Sequence, residues 1–90
     1  MKKQLPLYCP SCTHHLEVEA LVCKNCETKV IGDFSLPKLT MLPYEDQNFI
    51  VEFVKASGSI KLMAEQMKLS YPTVRNILDD LIEKIKKLEP

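Results

Sequence analysis

The sequence predicts an α+β chain: a small N-terminal β ribbon, then a three-helix domain whose last helix is long. Three observations predict it. All four cysteines lie within the first 26 residues, the strong helical periodicity follows Tyr44, and Pro37 and Pro43 interrupt the stretch between them. Ninety residues suit one small domain or two very small modules. Modules below about 70–80 residues rarely complete a core without a metal, a disulfide or a partner. The expected organisation is a zinc ribbon over 1–33, a packed linker over 34–43 and a helix-turn-helix domain over 44–90, for reasons taken in that order below.

Composition narrows the class first. With 46% hydrophobic and 27% charged residues, the chain is globular rather than disordered. No run of about 18 apolar residues offers a membrane span. The basic start, Met1-Lys2-Lys3, has no apolar stretch behind it to make a signal peptide. A cytoplasmic location is the expectation, and there cysteines more often bind metal or serve catalysis than form disulfides. Formal net charge is zero, which weighs against broad electrostatic attraction to nucleic acid.

In the N-terminal part, His14 to Leu21 alternates loosely, with Leu16, Val18 and Ala20 on one face, and Thr28-Lys29-Val30-Ile31 is a second β-prone run. Two short strands, each beside a cysteine pair, make a hairpin-like ribbon. The cysteines are spaced Cys9-x2-Cys12, ten residues, Cys23-x2-Cys26. Each pair can turn both sulfurs inward, and two such knuckles complete a tetrahedron. The expectation is one structural Zn2+ held by Cys9, Cys12, Cys23 and Cys26, with no open position for catalysis. The interval is shorter than the typical separation of about 15–20 residues, yet it still allows two short strands and a turn. Two disulfides, or a redox switch that releases zinc on oxidation, would use the same residues. His14 or His15 could replace a cysteine, although four thiolates already saturate zinc. Thr13 and Glu27 follow the second cysteine of each pair, where a positive φ favours glycine.

The linker carries Phe34, Leu36, Leu39, Met41 and Leu42, too apolar for a solvated tether. An extended, packed segment joining the ribbon to the helices is expected. After Tyr44 the period becomes helical: Phe49, Ile50, Phe53 and Val54 form a stripe, with Glu45 and Asp46 in the first turn. Ser57-Gly58-Ser59 supplies a stop and a fresh N-cap. A short second helix then fits Ile60 to Met67. A third begins after Ser70, tolerates Pro72 in its first turn, and runs to Leu88 or Glu89.

Residues Ser59 to Ile77 read as a helix-turn-helix. Ala64 is small where two helices cross, Met67 and Leu69 bracket the turn and are expected to dip into the core, Val74 and Ile77 face inward, and Ser70 caps the following helix. Lys68 occupies the turn position usual for glycine, so it must adopt a left-handed conformation at some cost. Tyr71, Thr73, Arg75 and Asn76 then point outward, with Lys68 beside them. Such side chains suit DNA: Arg pairs with guanine, Asn with adenine, and Thr or Tyr meets phosphate or the thymine methyl. Asp79, Asp80 and Glu83 would repel phosphate, which makes the reading head short. Zero net charge leaves open a bundle that serves only packing or protein contact.

Val74, Leu78, Leu81, Ile85 and Leu88 repeat at helical spacing. A helix of about 19 residues is about 28 Å long and outruns so small a bundle. Leu81, Ile82, Ile85 and Leu88 are therefore the expected homodimer interface, which would set two reading heads on one DNA face. The alternative is that this stripe folds back onto the 34–42 segment.

Several runs together resemble a known family: Tyr8-Cys9-Pro10-Ser11-Cys12, His15-Leu16-Glu17-Val18, Cys23-x2-Cys26, Phe34-Ser35-Leu36-Pro37, Leu39-x2-Leu42 and Ser70-Tyr71-Pro72-Thr73-Val74-Arg75-Asn76. The chain is similar to small bacterial proteins, carried as a domain of unknown function, with a four-cysteine ribbon and a sigma-factor-like helix-turn-helix. The resemblance implies a transcriptional regulator. Thr13, Glu27 and Lys68 stand where relatives more often carry Gly or a similar turn residue. The functional expectation is a zinc-containing DNA-binding regulator. The alternative is an adaptor that binds RNA polymerase or a sigma factor. No phosphate loop, open metal site or nucleophile–base pair suggests an enzyme.

Overall fold

The computed structural model describes residues 3–88; the expectations placed on Met1, Lys2 and Glu89 lie outside them. The chain divides into two compact units, Met1–Pro37 and Lys38–Pro90. The first contains β1 (Val18–Val22) and β2 (Lys29–Phe34). The second contains a single 3-10 turn at Lys38–Met41, then α1 (Tyr44–Lys55), α2 (Ile60–Met67) and α3 (Tyr71–Lys87). The architecture is α+β, as the cysteine and periodicity patterns require. No helix among the described residues is long and apolar enough to cross a membrane.

β1 and β2 pair antiparallel, with Ala20 opposite Ile31, Leu21 opposite Val30 and Val22 opposite Lys29. The register shifts between Val18 and Ala20, since Val18 faces Phe34. That shift inserts one extra residue in β2, which is the signature of a β-bulge. It carries the strand beyond the expected end at Ile31. Gly32 lies in this stretch, and a Cβ there would stand 2.8 Å from Cζ of Phe34. The phenyl ring thus lies over bare backbone. His15 joins Tyr8 in an isolated antiparallel bridge rather than belonging to β1. None of the described residues of this unit is fully buried. A two-stranded hairpin is at best marginally stable alone, and the described residues of this unit add no fully buried side chain to it.

The helical unit has a core: Leu42, Phe49, Ala56, Met63, Val74 and Leu81, with Ile50, Phe53, Ala64, Ile77, Leu78, Ile85 and Leu88 packed against it. Three expectations change here. Val54 is 70% exposed, and the buried position at the end of α1 is Ala56. Met63, at 1% exposed, supplies the core methionine, while Met67 and Leu69 remain about two-fifths exposed at 39% and 41%. The segment expected to be extended instead winds into the 3-10 turn, which lifts Leu39 outward and drives Leu42 into the core at 2% exposed.

Helix boundaries follow their caps. Ser57 (φ 57°) and Gly58 (φ 76°) end α1, with Gly58 N–H donating to the Phe53 carbonyl and Ser57 N–H to that of Val54, both at 2.9 Å. This is a Schellman closure. Ser59 then caps α2, its hydroxyl accepting from Leu62 N–H at 3.1 Å.

The last helix turns its stripe inward. Leu81 is 4% exposed, and Ile85 and Leu88 pack on the core, leaving Ile82, at 37%, as the exposed member of the proposed interface set. Leu42 and Phe49 share the core with Leu81. Farther along α3, Lys84 Nζ meets Asp46 Oδ2, in the first turn of α1, at 2.8 Å. Hydrogen bonding to the Asp46 carboxylate holds the Lys84 ammonium above its usual pKa. Met63→Ala and Leu81→Ala should each cost about 2–5 kcal/mol, the range for emptying a closed core site. Ile82→Ala should cost less than about 1 kcal/mol. Urea unfolding followed by circular dichroism at 222 nm measures all three; equal losses would contradict the inward assignment.

Candidate metal centre and recognition helix

The two cysteine pairs sit on two copies of one backbone turn. In the first, Cys9 N–H donates to the His14 carbonyl at 2.8 Å and Thr13 N–H to that of Cys9 at 2.9 Å. In the second, Cys23 N–H donates to the Thr28 carbonyl at 2.8 Å and Glu27 N–H to that of Cys23 at 2.7 Å. The copies also share a strained residue: Thr13 has φ 64° and Glu27 φ 63°. Sequence reasoning marked both positions as glycine-like, and the backbone adopts that conformation without glycine. A non-glycine residue there costs about 1–2 kcal/mol, so the surroundings must hold the turn closed.

These turns present sulfur to polar hydrogens. Ser11 N–H points at Cys9 Sγ over 3.4 Å, and the Cys9 thiol is held below the usual thiol range chiefly by the Cys12 N–H, then by that of Ser11. Cys26 Sγ lies 3.0 Å from Thr28 Oγ1, and this hydroxyl is the main reason the Cys26 thiol is also lowered. Both effects favour thiolate, the form that binds metal. Thr28 was not singled out from sequence; its signal is its place two residues past Cys26, closing the second knuckle as His14 closes the first.

Within each pair the side chains interact, Cys9 with Cys12 and Cys26 with Cys23. Among the described residues, no three His, Cys, Asp or Glu side chains stand together in an arrangement that could hold one metal ion. The structure therefore assembles the cysteines two by two, not four around one centre. All four are free thiols. As a donor set they fit zinc: four soft ligands on two knuckles whose N–H groups and hydroxyl already favour negative sulfur. The histidines are engaged otherwise. His15 lies against Tyr8 with ring centroids 4.6 Å apart, and His14 lends its carbonyl to the first turn.

In the helical unit, the turn between α2 and α3 is built as the sequence requires. Lys68 is left-handed at φ 57°, ψ 41°. Leu69 N–H donates to the Ala64 carbonyl at 3.0 Å, and Lys68 N–H to that of Glu65 at 3.4 Å, a second Schellman closure. Ser70 caps α3, its hydroxyl accepting from Thr73 N–H at 3.3 Å. Val74, completely buried at 0% exposed, then fixes the rotation of the helix. Lys68, Tyr71, Thr73, Arg75 and Asn76 all emerge exposed around the start of α3. Two carry local contacts: Thr73 Oγ1 lies 2.8 Å from Ser70 Oγ, and Arg75 Nε lies 3.3 Å from Asp79 Oδ1. The Arg75–Asp79 pair, at i and i+4 with both side chains over half exposed, is worth only about 0.3–0.5 kcal/mol. A phosphate or guanine can displace it.

Comparison with protein families agrees with both units. A family model described as the DUF2089 zinc ribbon matches residues 9–40. A second, described as a domain of unknown function (DUF2089) with a helix-turn-helix, matches residues 42–88. Neither a curated protein nor a solved structure matches the chain. Because both turns store backbone strain, Thr13→Gly with Glu27→Gly should tighten zinc binding about thirtyfold, from release of about 1 kcal/mol at each turn. Competition with a chromophoric chelator measures it, and unchanged or weaker affinity would contradict the strain assignment.

Proposed function

We propose that this chain, which belongs to the DUF2089 family, is a DNA-binding transcriptional regulator whose ribbon is closed by one structural zinc ion. The observation that carries the DNA reading is the start of α3. Val74 is wholly buried there while Tyr71, Arg75 and Asn76 face solvent, and a capped, rigid helix is what major-groove docking uses. Arg75 and Asn76 would read bases, and Lys68, Tyr71 and Thr73 would position the backbone. Further along, Asp79, Asp80 and Glu83 limit contact to the first turns of the helix. With 12 basic and 12 acidic residues in the chain, affinity rests on this local geometry rather than on general charge.

The zinc proposal rests on the paired knuckles and on a first unit without a fully buried side chain. Cys9, Cys12, Cys23 and Cys26 would hold the ion and bring the two half-sites together. Zinc supplies the cross-link that a core supplies elsewhere. Four thiolates fill its coordination, which supports a binding protein rather than an enzyme. Pairing of two copies along α3 would rest on Ile82, since the rest of that stripe serves the core.

Two tests follow. Chelation, or Cys12→Ser, should abolish ribbon amide protection in hydrogen exchange while α1–α3 keep theirs; loss of both together, or of neither, contradicts a zinc-dependent ribbon. Selection of fragmented DNA from the protein's own source should enrich a shared motif that survives physiological salt. Arg75→Ala should weaken binding to it by about 1–3 kcal/mol. No enrichment, or binding that vanishes uniformly with salt, would overturn the operator reading and favour the adaptor, with RNA polymerase or a sigma factor as its partner.

A further inference from the structure

The helical unit carries an open apolar groove, lined by none of the residues assigned to DNA, with a volume of about 610 Å³. Its floor is Phe49, Met63 and Ile77, one from each helix, and its wall is built by Tyr44 and Met67. Those two wall side chains are 53% and 39% exposed, in contrast to the buried Phe49 and Met63 and the half-buried Ile77. Methionine and tyrosine at a rim give a surface that repacks around different apolar anchors. The volume falls within the range of about 300–1,000 Å³ typical of binding clefts.

Charge says what kind of occupant it suits. Glu45, Asp46 and Glu52 line the groove, and among the described residues no lysine or arginine does. Asp46 is committed to Lys84 at 2.8 Å, so Glu45 and Glu52 carry the charge of the rim. Glu52 meets Lys55 at 3.6 Å in a pair exposed at both ends, a contact that solvent screens and a partner can replace. The first-turn position of Glu45 also favours the helix dipole, but Glu52, two turns on, has no such role.

We propose that this groove is a docking site for a basic amphipathic helix of a partner protein. Its apolar face would lie on Phe49, Met63 and Met67, and its lysines or arginines would meet Glu45 and Glu52. The arrangement is the helix-in-groove mode of recognition. Acidic and basic determinants are thereby divided: the groove takes a cationic protein segment, while Lys68 and Arg75 are presented to an anionic ligand.

The test uses the full zinc-loaded chain and a short fluorescein-labelled peptide of leucine and lysine, with its leucines on one helical face. Saturable binding by fluorescence anisotropy is expected, with amide shifts confined to the groove residues. Glu52→Lys with Glu45→Gln should weaken it about tenfold or more, whereas Glu83→Lys on α3 should not. A scrambled peptide of the same composition, and a leucine–glutamate peptide with the same stripe, should bind at least tenfold more weakly to the unaltered chain. These two peptides keep the test decisive if a variant loses its fold. Equal binding of the scrambled peptide, shifts elsewhere, or indifference to Glu52→Lys would overturn the proposal. A dimer that dissociates in the groove variant while no peptide binds would also overturn it, and assign the surface to a second copy of the chain.

Discussion

Burial of Val74 between α2 and α3 is the constraint on which the helical unit turns. One β-branched side chain with no solvent exposure sets the rotation of α3, because its χ1 is stiff and its neighbours are close-packed. That rotation sends Leu78, Leu81, Ile85 and Leu88 along the core, and leaves Tyr71, Arg75 and Asn76 outside. The left-handed Lys68 and the Ser70 cap fix where the helix begins. Packing, and not long-range charge, therefore defines the surface offered to a ligand in a chain whose formal charge is zero.

The ribbon is organised on the opposite principle. It has strands and a bulge but, among its described residues, no fully buried side chain, so hydrophobic burial does not account for its order. What it has is a repeated turn, held by the same pair of backbone hydrogen bonds in each copy and by a residue at positive φ. Those turns collect cysteines in pairs and lower the thiols of Cys9 and Cys26. In the proposed function, zinc ligation is the interaction that converts two such half-sites into a stable unit.

Much of this was legible in the sequence because the signals were local. Cysteine spacing, the Ser-Gly-Ser break and the Ser70 cap each act over a few residues, and α2 falls at Ile60–Met67 as its periodicity indicates. The positive φ at Thr13, Glu27 and Lys68 was readable from where glycine would be preferred. What escaped depended on distant neighbours. The inward turn of Leu81, Ile85 and Leu88, which the sequence left open as an alternative to pairing, depends on a core shared with Leu42 and Phe49 that no local pattern specifies. The exchange of Met67 for Met63 in the core has the same origin, since both fall on the apolar side of one short helix. The 3-10 turn at Lys38–Met41 was hidden by flanking prolines that suggested extended chain.

In the proposed function, the start of α3 meets DNA. Titrating the isotopically labelled, zinc-loaded chain with a selected DNA fragment, and following every backbone amide by NMR, tests this contact. The largest shifts are expected at Lys68, Tyr71, Thr73, Arg75 and Asn76, with Asp80 and Glu83 nearly still. Shifts centred on the second half of α3, or on the ribbon with α3 unmoved, would contradict it.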